Sequence, residues 1–269
     1  MTKVCSKSLF FNHSLTGKAL LILILVFSTL LESNFAQKPF KVVIDAGHGG
    51  KDPGAVGKIS YEKNIALKIS LHLGRILNEN LPDVNVIYTR KDDSYPTLNK
   101  RAQIANSKNA DLFISIHCDA FTSPSVRGTS TFIMGLSKSN ANFNVAKREN
   151  SVIELEENSE EVYKDFDPNS TESIMLLNLT QKSKIDNSAI LASLIQEQFS
   201  KRVGLHDRGV KQAPFLVLWM TTMPSVLIET GFISNREEEK KLNTNTHQVH
   251  IASAIFRAIR DYKKFLESN

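Results

Sequence analysis

Two imidazoles and two carboxylates stand where runs of apolar residues give way to turns. Lys41-Val-Val-Ile-Asp45 leads into Gly47-His48-Gly49-Gly50. The run 111–117 (DLFISIH) ends on His117, and 225–229 (SVLIE) ends on Glu229. Glu62 opens the amphipathic stretch that follows the first run. In an open α/β sheet, ligands bind beyond the carboxyl ends of the strands, so these four side chains are expected on one rim. Two histidines and one carboxylate are the donor set of a catalytic zinc, whose fourth position is left to water. A second carboxylate held off the metal can take that water's proton. The glycines around His48 allow a sharp turn and leave room for substrate. Singly, each residue is weak evidence: a histidine at a strand end is commonly structural, and a glutamate at a helix start commonly serves the helix dipole. Glu229 is harder to dismiss, because a carboxylate closing an apolar strand is costly unless paired or solvated in a cleft.

The elements that must position these groups follow from periodicity. Short β-branched runs at 41–45, 84–89 and 111–117 predict buried strands. The segment 128–134 (GTSTFIM) predicts a fourth strand, whose alternation suggests an exposed face or an edge. Two further short strands are expected at 215–218 and 225–229. Helical spacing covers 61–79, 98–108 and a closing amphipathic helix at 249–265. Asn235 is expected to cap a helix, with Glu238 completing a capping box. Strands alternating with helices predict an α/β fold, a mostly parallel twisted sheet of about six strands flanked by helices on both faces. The segment 138–205 breaks the rhythm and is expected to be a helical insertion. Its first half crowds Glu149, Glu154, Glu156, Glu157, Glu160, Glu161, Asp165 and Asp167; its second, 171–203, has the pattern of one long amphipathic helix. That is more chain than a connection between strands needs.

Residues 1–36 have the pattern of a signal peptide: Lys3, Lys7 and Lys18, then the apolar run from Ala19 to Leu31, then small residues ending at Ala36. An apolar run of about 13 residues is short for a bilayer span. The domain is therefore expected over 37–269, exported to the periplasm or cell envelope. Loss of three lysines and one glutamate lowers the net charge from +5 to +3. So mild a balance makes no case for nucleic acid. Cys118 would then be the remaining cysteine, so a core of ordinary size, without an internal disulfide, must hold the domain together.

Other chemistries fit poorly. Gly47-His48-Gly49-Gly50 lacks the third glycine of a dinucleotide fingerprint, and Gly50-Lys51-Asp52 is no phosphate loop. No Gly-x-Ser-x-Gly elbow occurs. Cys118 should face away from His117 if the strand continues, which makes it a small buried thiol. His72, His206, His247 and His250 are read as surface or packing residues. Arg90 and Arg101 flank the rim, where either could support a carboxylate or form an ordinary ion pair.

The motifs Val43-Ile-Asp-Ala-Gly-His48-Gly-Gly-Lys-Asp-Pro-Gly-Ala55, Glu62-Lys-Asn-Ile-Ala-Leu67, Thr89-Arg90, Arg101-x-x-Ile-Ala-Asn106, Ala110–His117 and Glu229-Thr-Gly-Phe-Ile-Ser-Asn235 run in the order of a known family. The chain resembles the zinc-dependent N-acetylmuramoyl-L-alanine amidases of the cell-separation type from about Val42 to its end. Cys118 departs from the alanine common after this histidine. The resemblance implies that His48, Glu62 and His117 bind Zn2+, that Glu229 is the catalytic carboxylate, and that the substrate is peptidoglycan. The bond cut would join N-acetylmuramic acid to L-alanine of the stem peptide, in wall remodelling and daughter-cell separation. It further implies a helix over 145–166 that covers the metal until an activator protein displaces it. Glu149 sits near its start, and Glu154, Glu157 and Glu161 would share one of its faces. One of these four carboxylates could block the open metal position; alternatively the segment is a solvated acidic surface. Two rival classes remain: a catalytically dead wall-binding scaffold, and a zinc peptidase or deacetylase acting on another amide.

Overall fold

A computed structural model describes residues 38–268; the expected signal peptide lies outside them. Six strands form one sheet in the order β2-β1-β3-β6-β4-β5. They are β1 (Phe40–Ala46), β2 (Val84–Tyr88), β3 (Leu112–Asp119), β4 (Thr129–Met134), β5 (Asp207–Ala213) and β6 (Ser225–Phe232). β2, β1, β3 and β6 run parallel. β4 pairs antiparallel to β6, and β5 runs parallel to β4, so the sheet is mixed but mostly parallel.

Helices cover both faces. On one face α1 (Glu62–Asn80), α6 (Lys182–Gln198) and α9 (Asn245–Ser268) pack Ile69, Leu73, Leu191, Ile195, Ile255 and Ile259 against Val42, Ile44, Ile114, Ile116 and Ile228 of the strands. On the other, α2 (Leu98–Ser107), α3 (Asn140–Asn150), α5 (Thr171–Thr180) and the single turn α7 (Leu216–Trp219) cover Val43, Phe113, Phe132 and Leu227. Burial on both faces explains why the central strands are continuously apolar. The period of two then decides where the chemistry falls. Val43 precedes Asp45, Phe113 precedes Ser115 and His117, and Leu227 precedes Glu229, all on the second face. The polar groups therefore continue the apolar rows past the end of the core.

Four expectations require correction. The strand expected at 215–218 is instead the turn α7 over 216–219; the missing strand is β5, whose polar sequence DRGVKQA hides it on the sheet edge. β4 is neither exposed nor an edge: all six of its residues are buried, and the Thr129 and Thr131 hydroxyls are satisfied by the Gln196 side-chain amide of α6. The stretch 171–203 is two helices, α5 and α6, broken at Gln181 and closed by a π turn at Phe199–Val203. The segment 145–166 is not one helix. It comprises the end of α3, a 3-10 turn at Ser151–Leu155 and the short α4 (Ser159–Val162), with Asn158 between them in the left-handed region at φ 56°. Asn235 does cap α8 (Arg236–Leu242), accepting from the Glu237 and Glu238 amides. The Glu238 carboxylate does not return to it; it holds the Phe232 and Gly128 amides instead.

Candidate active site

The turn after β1 carries His48 in the left-handed region at φ 60°. It is held by two buried arginines that donate to its carbonyls. Arg90 reaches Ala46 O and Gly47 O at 2.9 and 2.7 Å, and Arg101 reaches Ala46 O and His48 O, both at 2.7 Å. Arg101 also pairs with Asp45 at 2.8 Å, and Asp45 accepts from Thr89 and Ser115. Of the two flanking arginines, Arg101 thus supports a carboxylate while Arg90 serves the backbone. The glycines beside His48 make the expected sharp turn, with Gly49 and Gly50 at φ 127° and 52°. A Cβ on Gly47 would stand 2.4 Å from the His117 ring, and one on Gly54 would stand 2.5 Å from the His48 ring. These two glycines make room for the imidazoles.

His48, Glu62 and His117 converge, and Glu149 joins them from α3. His48 Nε2 lies 3.1 Å from each of His117 Nδ1, Glu62 Oε1 and Glu149 Oε2; His117 Nδ1 lies 3.0 Å from Glu62 Oε1 and 3.2 Å from Glu149 Oε2. All four ligand atoms lie within 4.8 Å of one another and all four residues are buried. Four ligands at about 2.0–2.1 Å around a tetrahedral ion stand about 3.3 Å apart, close to these separations. Hydrogen bonding alone accounts for the cluster badly. Glu149 Oε2 is buried and close to both rings, yet accepts no hydrogen bond. The two ring nitrogens also face each other, so protons on both would collide. A single divalent cation resolves both difficulties, and the residues fit one.

Outer contacts fix the ring orientations. Asp52 Oδ2 holds His48 Nδ1 at 2.7 Å, and Ser115 Oγ stands 3.1 Å from His117 Nε2. Such partners set which ring nitrogen is free to bind. Glu62 is held by the Cys118 and Ala55 amides, both at 2.8 Å. Burial works against its charge, but the charge of His48 and the hydrogen bonds from His117 and His48 together outweigh it and lower the carboxyl to about 2. Burial likewise opposes protonation of His48 and His117, and the carboxylates, Glu62 first at His48 and Glu149 first at His117, raise both above the ordinary imidazole value. Groups so tuned bind either protons or a metal, which compete.

Glu229 lies apart from this cluster. Neither of its oxygens has a hydrogen-bond partner, and burial, followed by Asp119 and Glu149, pushes its carboxyl well above the usual range. The nearest cation is Arg148, whose Nη2 stands 3.7 Å from Glu229 Oε1. Arg148 also meets Asp119 Oδ1 at 3.0 Å and Glu149 Oε1 at 2.9 Å. Burial opposes the charge of Glu149 too, but Arg148 and then His117 hold it well below the carboxylate range.

The other acidic candidates do not reach the site. Glu154, Glu157 and Glu161 are exposed and, with the helix broken, share no face. Glu156 instead anchors the segment, accepting from the Leu98 amide and the Tyr163 hydroxyl. Sequence reasoning missed Asp52, Ser115, Asp119 and Arg148. For Asp52 and Ser115 a signal existed, since each stands four or two residues from a predicted ligand. Cys118 is buried with its sulfur 3.3 Å from the Thr230 hydroxyl, in the core of the opposite face, and burial raises its thiol well above the ordinary range.

Comparison with known proteins gives the family. The family model for N-acetylmuramoyl-L-alanine amidases matches residues 42–261. The amidase AmiA of Escherichia coli K12 is 39% identical over 225 residues, which cover 82% of this chain and 75% of that protein. The crystal structure of an N-acetylmuramoyl-L-alanine amidase from Clostridium difficile 630 superposes with a TM-score of 0.64 at 28% identity, covering 85% of this chain and 98% of that one. The CwlD amidase of Clostridioides difficile, solved in complex with the GerS lipoprotein, gives 0.60 at 28% identity, covering 84% and 98%. This chain belongs to the N-acetylmuramoyl-L-alanine amidase family.

Proposed function

We propose that the protein is an exported, zinc-dependent amidase that hydrolyses the amide between N-acetylmuramic acid and L-alanine in peptidoglycan. The observation that carries this reading is the convergence of His48, Glu62, His117 and Glu149 ligand atoms within 4.8 Å of one another beside a buried, unpartnered Glu229. His48, Glu62 and His117 are the proposed permanent ligands. When bound, zinc would supply Lewis acidity to the amide carbonyl and to the attacking water. Glu229 takes the water's proton and passes it to the departing amine. Its burial keeps it basic enough to accept that proton at neutral pH, the usual way a carboxylate is tuned for such work.

The same reading makes the form described here a resting one. Glu149 stands where the fourth ligand belongs, so the substrate carbonyl and the attacking water have no access. We assign the blocking role to Glu149 and not to Glu154, Glu157 or Glu161. The block is latched by polar contacts. The Asn150 amide donates to Pro214 O at 2.8 Å, Asn150 Oδ1 accepts from the Leu216 amide at 2.9 Å, and the Tyr163 hydroxyl accepts from the Asn99 amide at 3.0 Å. An activator protein would break these. Its landing point is proposed on α5, where Met175, Leu176 and Leu179 are 52%, 62% and 75% exposed. Among the described residues no helix is long and apolar enough to cross a membrane.

Digestion of purified peptidoglycan followed by mass analysis tests the activity. Release of stem peptides bearing a free N-terminal L-alanine is expected. Deacetylated or peptide-cleaved muropeptides would favour an enzyme acting on another amide, and an unaltered wall would favour a scaffold.

A further inference from the structure

We infer that Asp119 and the Ala120 carbonyl form the subsite that receives the departing amine, and that Arg148 occupies it in the resting form as a stand-in for product. The inference rests on the amidase reading and adds residues to its site. Hydrolysis of the amide adds water across one C–N bond. The water oxygen and the acyl carbon become a carboxylate, and both water protons end on nitrogen, which leaves as an ammonium ion. The two products therefore carry an anionic oxygen pair and a cationic nitrogen that were bonded a moment earlier. Arg148 and Glu149, neighbours in sequence, present that same charge order. Glu149 Oε2 completes the metal cluster, while the Arg148 guanidinium lies on the Glu229 side.

Outside the insertion the guanidinium is held by two acceptors, of which Asp119 Oδ1 also accepts the Ala120 amide at 2.7 Å. Arg148 Nη2 stands 3.0 Å from Asp119 Oδ1, and Nη1 donates to Ala120 O at 3.0 Å. Glu229 Oε1 is 3.7 Å away and accepts nothing. Asp119 is 4% exposed and Glu229 fully buried. Remove the insertion, and Asp119 Oδ1 and Ala120 O lose the donor they share, while Glu229 Oε1 loses its neighbouring cation. An ammonium group has three N–H donors and no acceptor, which suits a site lined by Asp119 Oδ1, Ala120 O and Glu229 Oε1. Buried carboxylates left without a cation are costly, so the subsite favours a cationic nitrogen over the neutral amide it came from. That preference draws the departing amine away from the acyl carbon.

The test uses the full-length, zinc-loaded Arg148→Ala/Glu149→Ala protein and calorimetric titration with L-alanyl-γ-D-glutamate, free or N-acetylated. The free amine is expected to bind about tenfold tighter or better, the yield of one charge-assisted hydrogen bond. Adding Asp119→Asn should reduce that ratio to within about twofold while metal content and melting temperature hold. Equal binding of the two peptides by the Arg148→Ala/Glu149→Ala protein, no binding of either, or a preference that survives Asp119→Asn would overturn the inference. Mass analysis of peptidoglycan digested by the same preparations separates this from failure of the parent reading. Amidase products without amine preference sink the subsite alone; their absence sinks both.

Discussion

The two halves of the long segment between β4 and β5 are built on opposite principles. In α6 and its π turn, Leu191, Ala192, Ile195 and Phe199 are fully buried in the core of the sheet. From α3 to α5 the fully or nearly buried apolar side chains are Ala146, Tyr163 and Ile174, and hydrogen bonds to Pro214, Leu216, Leu98 and Asn99 tie the chain to the rim, with Leu176 and Leu179 facing out. The second half is scaffold and the first is a cover. Polar latches at a rim can exchange for water when they open, whereas buried apolar area cannot leave without unfolding. The removable part therefore stops short of α6, and it carries Arg148 and Glu149.

Substitutions should separate the halves. Phe199→Ala is expected to destabilise by about 3–5 kcal/mol, and Leu179→Ala by less than about 0.5 kcal/mol. Chemical denaturation measures both, and equal losses would erase the distinction. Deleting residues 139–169 should leave a folded protein that releases dye from labelled sacculi faster than the parent; unchanged or lower release from a folded deletant would contradict a cover. Within the cover, Glu149→Ala should raise basal release about tenfold, the effect of losing ~1.4 kcal/mol of closure. Alanine at Glu154, Glu157 or Glu161 should change it by less than about twofold, and a larger effect at any of them would move the blocking role.

The smallest effect concerns Glu229. Its carboxyl is raised in the folded protein by burial, then Asp119 and Glu149. A raised group contributes its stability below the unfolded value of 4.5 and loses it as pH climbs toward the folded value. Glu229→Gln removes that loss. The variant should melt about 2–4 °C above the parent at pH 7, equivalent to ~1 kcal/mol, and the gap should close as pH falls to about 4.5. A gap independent of pH would mean that Glu229 is not burdened by its charge.

Much of this was legible in the residues. The strand ends placed His48, His117 and Glu229 because period-two burial makes a polar residue at the end of an apolar row conspicuous, and Glu62 opened its helix as expected. β5 escaped because an edge strand needs no apolar pattern. β4 misled because its buried threonines are satisfied by one glutamine from a helix more than sixty residues away. The family resemblance implies one helix over the cover, but Asn158 breaks it, and of four glutamates one reaches the cluster. Arg148 could not be found at all, since a lysine- and arginine-bearing helix end looks like any solvated surface until Asp119 and Glu229 are seen beside it.

Metal analysis of four variants, purified and dialysed under identical conditions, tests the central claim most directly. His48→Ala, Glu62→Gln and His117→Ala should each lose zinc, while Glu229→Ala should keep the parent's stoichiometry and lose all amidase activity. Zinc retained by the first three, or lost with Glu229, would show that these side chains do not share one ion in the way described.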